Sequence, residues 1–393
     1  MIAVSALWTY QRNETWKDPV TLWQDVVNKS PSKARPHNNL GHELYQSDKV
    51  NEAIERFKAA LKIEPHDPKT LNNLGIVYLD QNRIFEAIDY FKTALEHQPQ
   101  NKETLNNLGL ALDKLKKPDE ALAFFKAALR TDPEYPDALN NIGAILKDQN
   151  SNEEAAAYFK AALKSDPNFV EALNNLGAVS MDQGKVAEAM GYFKRALEID
   201  PQNLEVLNNI GEAYQEQNRP DTALGYFRNT LKIDPKNVNA LNHLGLAHIS
   251  KGEFSTAVEH FEQASKIDPS NSESYVNLGA TYLKLGQIEL ANLHLQKALS
   301  LNPNIAKAHT NLGIVLIQMG DFQRGFFHIQ KAVELEPDNK SFQSNRNHAQ
   351  AIGQQIRDHI AVLRENLERD PQNPDLLAEL APYINPSATV ILQ

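Results

Sequence analysis

Small and apolar positions return along the chain at an interval of 34 residues. Within the interval 170–203, Leu173 and Gly177 lie four residues apart, as do Ala189 and Phe193. This spacing places each pair on one face of a helix. The pattern therefore predicts two amphipathic helices in every interval, packed against each other and against the helices of neighbouring intervals.

Turn and cap residues repeat with the same period. Glycine or asparagine separates the two helices, where a left-handed residue is expected to end the first helix; these positions are Asn82, Asn150, Gly184, Asn218, Gly252, Gly286 and Gly320. A glycine also lies inside each first helix, at Gly41, Gly75, Gly109, Gly143, Gly177, Gly211, Gly245, Gly279 and Gly313. Because such a glycine costs about 1 kcal/mol relative to alanine, its return predicts a neighbour packed too close for a side chain.

The periodic pattern predicts four regions. Residues 1–33 hold a half-repeat or capping helix, which Asp18 caps and Pro19 begins. Nine complete units of 34 residues follow in residues 34–339, and residues 340–373 form a divergent tenth repeat or C-terminal cap. Its first helix, around 341–354, is strongly polar, which suits a terminal unit on which nothing stacks. Residues 374–393 contain a short helix and a tail.

The repeated residues closely resemble the tetratricopeptide repeat family over residues 34–339. In the unit at 170 the likeness is carried by Leu176, Gly177, Ala189, Phe193, Ala196 and Pro201. The resemblance implies an all-α fold, a right-handed α-solenoid of about nine complete helix hairpins with partial units at both ends. It also implies that the first helices line a concave groove that binds peptides or protein segments.

A narrower resemblance covers residues 9–41. This stretch is similar to the junction of transmembrane and tetratricopeptide repeat proteins, where a glycosyltransferase-like membrane domain meets its repeats, and the likeness is carried by Arg12, Asn13, Trp16, Leu22, Trp23, Pro31 and Arg35. It implies that residues 1–8 are the stub of a membrane helix, and that the chain is extracytoplasmic, membrane-proximal and associated with membrane proteins. The alternative is an ordinary capping helix on a cytoplasmic chain, which we expect to be soluble as given because the apolar run is short of the roughly 20 residues that span a bilayer.

One asparagine per unit faces away from the predicted packing seam. Asn175 lies about 200° around the helix from Leu173. Its equivalents, with His243 the exception among nine units, define the asparagine ladder: Asn39, Asn73, Asn107, Asn141, Asn175, Asn209, Asn277 and Asn311. The ladder is predicted to bind the main chain of an extended peptide, and the alternative is that each amide ties down its own or an adjacent helix. The superhelix of O-linked N-acetylglucosamine transferases has a similar asparagine-lined groove.

A second row of asparagines, the flank row, precedes the ladder by one residue and is expected to be structural: Asn38, Asn72, Asn106, Asn140, Asn174, Asn208 and Asn242. Three histidines, His260, His294 and His328, share one second-helix position and are expected to form a packing column. Neither a metal site nor a cofactor is predicted.

The net charge of the chain and the catalytic motifs it lacks exclude several classes of function. The chain has 40 basic and 50 acidic residues, a net charge of -10 with no basic block, which argues against a nucleic-acid partner. It has no cysteine, and no phosphate-binding loop, His-Glu-x-x-His or nucleophile elbow appears. We therefore expect a non-catalytic scaffold for a protein or peptide ligand. The alternative is the repeat portion or accessory of a membrane glycosyltransferase (O-glycosylation) system that presents acceptor proteins.

Overall fold

The computed structural model describes Trp16 and residues 18–384, with side chains to residue 380. The suggested membrane-helix stub at residues 1–8, and Arg12 and Asn13 of the junction, lie outside the described residues. Within them the chain is all-helical, with 21 helices, most of them paired as hairpins. The helices fall into two compact units that divide at Asp200–Pro201. No described helix is long and apolar enough to cross a membrane.

The helices alternate with short connections. In the first unit they are α1 (Pro19–Lys29), α2 (Ala34–Gln46), α3 (Val50–Ile63), α4 (Pro68–Asp80), α5 (Ile84–His97), α6 (Lys102–Lys114), α7 (Pro118–Thr131), α8 (Pro136–Asp148), α9 (Asn152–Ser165), α10 (Val170–Asp182) and α11 (Val186–Ile199). In the second they are α12 (Leu204–Glu216), α13 (Pro220–Ile233), α14 (Val238–Ser250), α15 (Phe254–Ile267), α16 (Ser272–Lys284), α17 (Ile288–Leu301), α18 (Ala306–Gln318), α19 (Phe322–Leu335), α20 (Lys340–Arg369) and α21 (Pro374–Ile384).

Local chemistry sets the helix ends. The Asp18 carboxylate accepts a hydrogen bond from the backbone N–H of Thr21 at 3.0 Å, which confirms the predicted cap of α1. Between the paired helices the backbone is left-handed at every predicted turn position. It is also left-handed at Asp48 and Lys116, which occupy that position in two other units, with φ of 60° and 59°. Aspartate is tolerated in this region, but lysine seldom adopts it, so at Lys116 the hairpin imposes the geometry on an unfavourable residue.

The close neighbour of the recurring glycine is an aromatic ring from the second helix of the same hairpin. A Cβ atom added to Gly177 would lie 2.4 Å from Cε1 of Phe193, whose side chain is fully buried. The same contact recurs from Gly41 with Phe57 to Gly245 with Phe261. Leu295 and Ile329 take the ring's place in the last two complete units. The glycine therefore allows the two helices of each hairpin to pack closely.

The C-terminal region differs from the expected tenth hairpin. Residues 340–369 form the single 30-residue helix α20, with no turn near Gln354. Two sequence changes explain the difference. Gln354 occupies the position that is left-handed in the nine preceding units, and Asn347 replaces the glycine that would admit a second helix. The C-terminal half of α20 instead packs on α21 through Ile360, Leu363 and Leu380.

A pair of alanine substitutions tests the glycine contact. Gly177→Ala forces a methyl group into the Phe193 ring, and we expect the overpacking strain, about 1–3 kcal/mol, to outweigh the helix-propensity gain of up to about 1 kcal/mol. The matched control is Gly191→Ala, because Gly191 is exposed in α11 with nothing within 4 Å of its added Cβ. The control should raise the free energy of unfolding in urea titrations. Equal effects of the two substitutions would contradict the packing account.

Candidate functional site

The ladder positions lie on one partly exposed face of the first helices. In α10 this face carries Glu171, Asn175, Ala178 and Asp182, spaced four, three and four residues apart. The end residues are exposed, and Asn175 and Ala178 between them are half-buried. Seven of the eight predicted ladder asparagines are half-buried in the same way: Asn39, Asn73, Asn107, Asn141, Asn175, Asn209 and Asn311. Asn277 is buried, with 3% of its surface exposed.

In the first unit, hydrogen bonds join the ladder to the flank row. Each bond runs from Nδ2 of a ladder asparagine to Oδ1 of the flank asparagine 35 residues earlier: Asn73 to Asn38 at 3.0 Å, Asn107 to Asn72 at 3.0 Å, Asn141 to Asn106 at 2.9 Å and Asn175 to Asn140 at 2.9 Å. The amides therefore tie each first helix to the preceding one. The sequence already contains this pairing. Each flank asparagine directly precedes a ladder asparagine and the pair repeats every 34 residues, so a ladder asparagine lies 35 residues after the flank asparagine of the preceding repeat.

Each bridging amide keeps hydrogen-bonding capacity. A carboxamide has two N–H donors and an oxygen acceptor, and the bridge uses one donor. Within the described residues, Oδ1 and the second N–H of Asn107, Asn141 and Asn175 make no other hydrogen bond. Their half-buried side chains can therefore offer an acceptor and a donor to a ligand while the bridge holds their orientation.

In the second unit the described ladder is interrupted. His243 replaces the asparagine, places Nε2 2.8 Å from Glu212 Oε1, and stacks on Phe227 with ring centroids 5.2 Å apart. Asn277 Nδ2 and Asn242 Oδ1, the two atoms that bond in the first unit, are both buried without a partner. The residue 35 before Asn311 is Val276, which has no side-chain acceptor. The four bridges described above lie within residues 38–175.

Charges along the ladder face change sign within the first unit. The exposed position four residues before each ladder asparagine holds, in order, Arg35, Lys69, Glu103, Asp137 and Glu171. Half-buried aliphatic residues stand three residues after the ladder at Ile76, Leu110, Ala144 and Ala178. The exposed carboxylates of Asp148 and Asp182 lie four residues after Ala144 and Ala178. The face thus combines amide groups with narrow apolar patches between charged edges.

The histidine column consists of stacked, half-buried rings. His260 stacks on His248 and His294 on Tyr282, each with centroids 5.3 Å apart. Nδ1 of His328 lies 2.8 Å from Nδ1 of His309. Among the described residues no group of three or more acidic or histidine side chains could hold a metal ion. These contacts are those of a packing column.

Family models for the tetratricopeptide repeat match residues 72–136, 141–203, 180–241 and 306–339, and TPR repeat models match residues 41–82, 247–286 and 281–320. The chain belongs to the tetratricopeptide repeat family. The resemblance drawn from Gly177, Phe193 and Pro201 is thereby confirmed, and so is the helical-hairpin fold.

Solved structures show the same tetratricopeptide fold at low identity. The human IFIT1 dimer with m7Gppp-AAAA matches with a TM-score of 0.59 and 18% identity, over 95% of this chain and 92% of that one. The Cut9-Hcn1 hetero-tetramer of the APC/C matches with a TM-score of 0.56 and 16% identity, over 83% of this chain and 80% of that one. A tetratricopeptide repeat protein from Parabacteroides merdae matches with a TM-score of 0.53 and 18% identity, over 64% of this chain and 99% of that one.

Among curated proteins, the Protein O-mannosyl-transferase Tmtc3 of Drosophila melanogaster is 33% identical over 67 residues. The match covers 17% of this chain and 7% of the fly protein. It agrees with the expected likeness to transmembrane and tetratricopeptide repeat proteins, over a small part of both chains.

The histidine column predicts a pH dependence of stability. Burial lowers the pKa of His328 to about 4, with the nearby His309 and Arg324 acting in the same direction and Asp321 opposing them. Between about pH 6.5 and pH 4 the unfolded chain therefore binds a proton that the folded chain does not. The contribution of the neutral His328 ring to the free energy of unfolding is complete above about pH 6.5 and is lost as the pH falls towards 4.

We expect His328→Phe to reduce the slope of unfolding free energy against pH in this window, measured by urea denaturation. The reciprocal change Phe124→His places a histidine at the same half-buried position of an earlier hairpin, and it should make the slope steeper. Slopes that stay unchanged in both variants would refute the assignment.

Proposed function

We propose that the bridged ladder of the first unit binds the main chain of an extended polypeptide. The chain is a tetratricopeptide repeat scaffold, a fold that implies interaction with other proteins. The observation that carries the proposal is the fixed orientation of Asn73, Asn107, Asn141 and Asn175 on one half-buried face. Their remaining amide groups match the alternating donors and acceptors of a peptide backbone.

The bridges favour binding because they reduce its entropic cost. Immobilising a flexible side chain on binding costs about 0.5–1.5 kcal/mol, and each bridge has already restricted its amide in the free protein. Neighbouring repeats are about 10 Å apart by helix-packing distances, and an extended chain advances about 3.3 Å per residue. Each repeat therefore contacts roughly one residue in three, and the four bridged asparagines span a segment of roughly nine residues. Such recognition depends little on side-chain identity.

Electrostatics support a protein ligand over nucleic acid. The edge carboxylates of Glu103, Asp137 and Glu171 are exposed along the face, and they repel phosphate groups, whose binding depends on Lys and Arg. Arg35 and Lys69 at the other end favour an acidic segment there. We propose a non-catalytic role for the face, which offers amides, aliphatic groups and solvated carboxylates. Turnover of any bound polypeptide by the purified chain would overturn this part of the proposal.

A matched pair of triple substitutions tests the ladder. Peptides selected from a random displayed library serve as probes, and their affinities are measured by fluorescence anisotropy. Asn107→Ala, Asn141→Ala and Asn175→Ala together remove three bridges and the ligand-facing amides. Asn72→Ala, Asn106→Ala and Asn140→Ala remove the same three bridges but keep the ladder amides. Both sets should lower stability, by about 0.5–1.5 kcal/mol per lost hydrogen bond.

We expect the ladder set to weaken peptide binding at least tenfold more than the flank set. N-methylation of the peptide backbone should also weaken binding, whereas scrambling its sequence should have little effect. Equal losses of affinity in the two sets would show that the asparagines act only through helix packing.

A second candidate function follows from the fly relative. We propose, as the alternative, that the repeats belong to or assist a membrane glycosyltransferase system and present acceptor polypeptides to it. The support is the 33% identity over 67 residues with Tmtc3, whose name identifies it as a protein O-mannosyl-transferase. Co-purification from membranes should then recover a multi-spanning glycosyltransferase together with the chain. Recovery of the chain from the membrane fraction without such an enzyme would contradict this alternative.

A further inference from the structure

The bridged part of the ladder repeats at a regular spacing. Cα atoms of successive first helices approach to within 8 Å at each step from α2 to α10, and helices packed side by side have axes about 8–10 Å apart. The bridges at Asn73, Asn107, Asn141 and Asn175 differ in length by only 0.1 Å, at 2.9 or 3.0 Å. Neighbouring ladder amides are therefore about 8–10 Å apart along the face.

Each bridged asparagine presents the same groups to a ligand. In every bridge Nδ2 of the ladder residue donates to Oδ1 of the flank residue, so the ladder amides are held alike in successive repeats. At Asn107, Asn141 and Asn175 the ladder residue's own Oδ1 and second N–H make no other hydrogen bond within the described residues. A ligand that uses every amide in the same way must offer equivalent backbone groups at each step of about 8–10 Å.

A β-strand does not meet this requirement. Its backbone groups alternate between two sides, and it advances about 3.3 Å per residue. Two residues cover about 6.6 Å and four cover about 13 Å, and both distances differ from the ladder spacing. Three residues cover about 10 Å, but the equivalent groups then point to the opposite side. A strand would therefore match the amides only at every second repeat.

A polyproline II helix meets the requirement at every repeat. It has three residues per turn and rises about 3.1 Å per residue, so one turn covers about 9.3 Å and brings equivalent groups back to the same side. Its backbone has no internal hydrogen bonds. The N–H and C=O groups of such a ligand are therefore available to the ladder amides, unlike those of an α-helix, which bond to each other.

The surroundings of the amides suit proline side chains. Half-buried aliphatic residues lie three positions after the ladder, on the same helix face, at Ile76, Leu110, Ala144 and Ala178. They offer apolar contact to prolyl rings. Because one N–H per turn is enough for one amide per repeat, two of every three ligand residues can be proline, which lacks this group.

We propose that the bridged ladder binds a proline-rich segment as a polyproline II helix, with one turn for each repeat. This inference rests on the proposed function and names the class of ligand. The selection acts on the conformation of the backbone and leaves the other side chains free to vary.

The test uses the full chain and three labelled twelve-residue peptides, whose affinities are measured by fluorescence anisotropy. The first contains four Pro-Pro-Gln triplets, in which proline fixes φ and also favours the polyproline II region at the residue before it. The second contains four Thr-Val-Gln triplets, which keep the glutamine spacing but favour a β-strand. The third contains only proline and has no N–H for the ladder between its residues. The ladder and flank sets of triple substitutions are measured with the same peptides.

We expect the Pro-Pro-Gln peptide to bind at least tenfold more tightly than either of the other two. Its backbone is preorganised, which lowers the entropic cost of binding, and it supplies one N–H per turn. The ladder set should weaken its binding at least tenfold more than the flank set. Equal or tighter binding of the Thr-Val-Gln peptide or of the all-proline peptide would overturn the inference.

The same measurements separate this inference from the proposed function. If the library-selected peptides depend on the ladder amides while the Pro-Pro-Gln peptide has no advantage, only the polyproline II conformation is wrong. If the ladder and flank sets bind the library-selected peptides alike, the proposed function itself is wrong, and this inference with it.

Discussion

The close contact between a glycine of each first helix and a large apolar side chain of its partner determines the rest of the structure. In the hairpin of α10 and α11, Phe193 packs against the backbone of Gly177 because no Cβ intervenes. Where Leu295 replaces the ring the contact with Gly279 persists. Where Asn347 replaces the glycine no hairpin forms, and α20 runs on as one helix. The presence of glycine at this position thus distinguishes the segments that form a hairpin from α20, which does not.

The fold was largely predictable because its signals are local and repeated. A turn residue such as Gly184 and a cap such as Asp18 act through their own backbone, so their effect can be read from a few neighbouring residues. The single helix at 340–369 was not predicted, because the first half of that segment matches the polar face expected of a terminal repeat. Only the loss of both the turn residue and the packing glycine indicates that the helix continues.

The candidate site was predictable in part. Sequence spacing placed Asn175 on the partly exposed face, but it left open whether the amide binds a ligand or a neighbouring helix. The structure shows that it bonds to Asn140 and keeps further hydrogen-bonding capacity. Two features of the second unit could not be predicted, because they depend on side-chain positions. One is the contact that His243 makes with Glu212, and the other is the absence of a hydrogen bond between Asn242 and Asn277.

The bridges between the two asparagine rows also have a direction. In every bridge of the first unit the donor belongs to the later repeat and the acceptor to the earlier one. The amide dipoles from Asn73 to Asn175 are therefore oriented alike. A row of amides aligned in this way offers a different order of donors and acceptors to a chain that runs from amino to carboxyl end than to its reverse. In the proposed binding mode, the row would therefore distinguish the polarity of a polypeptide while remaining tolerant of its sequence.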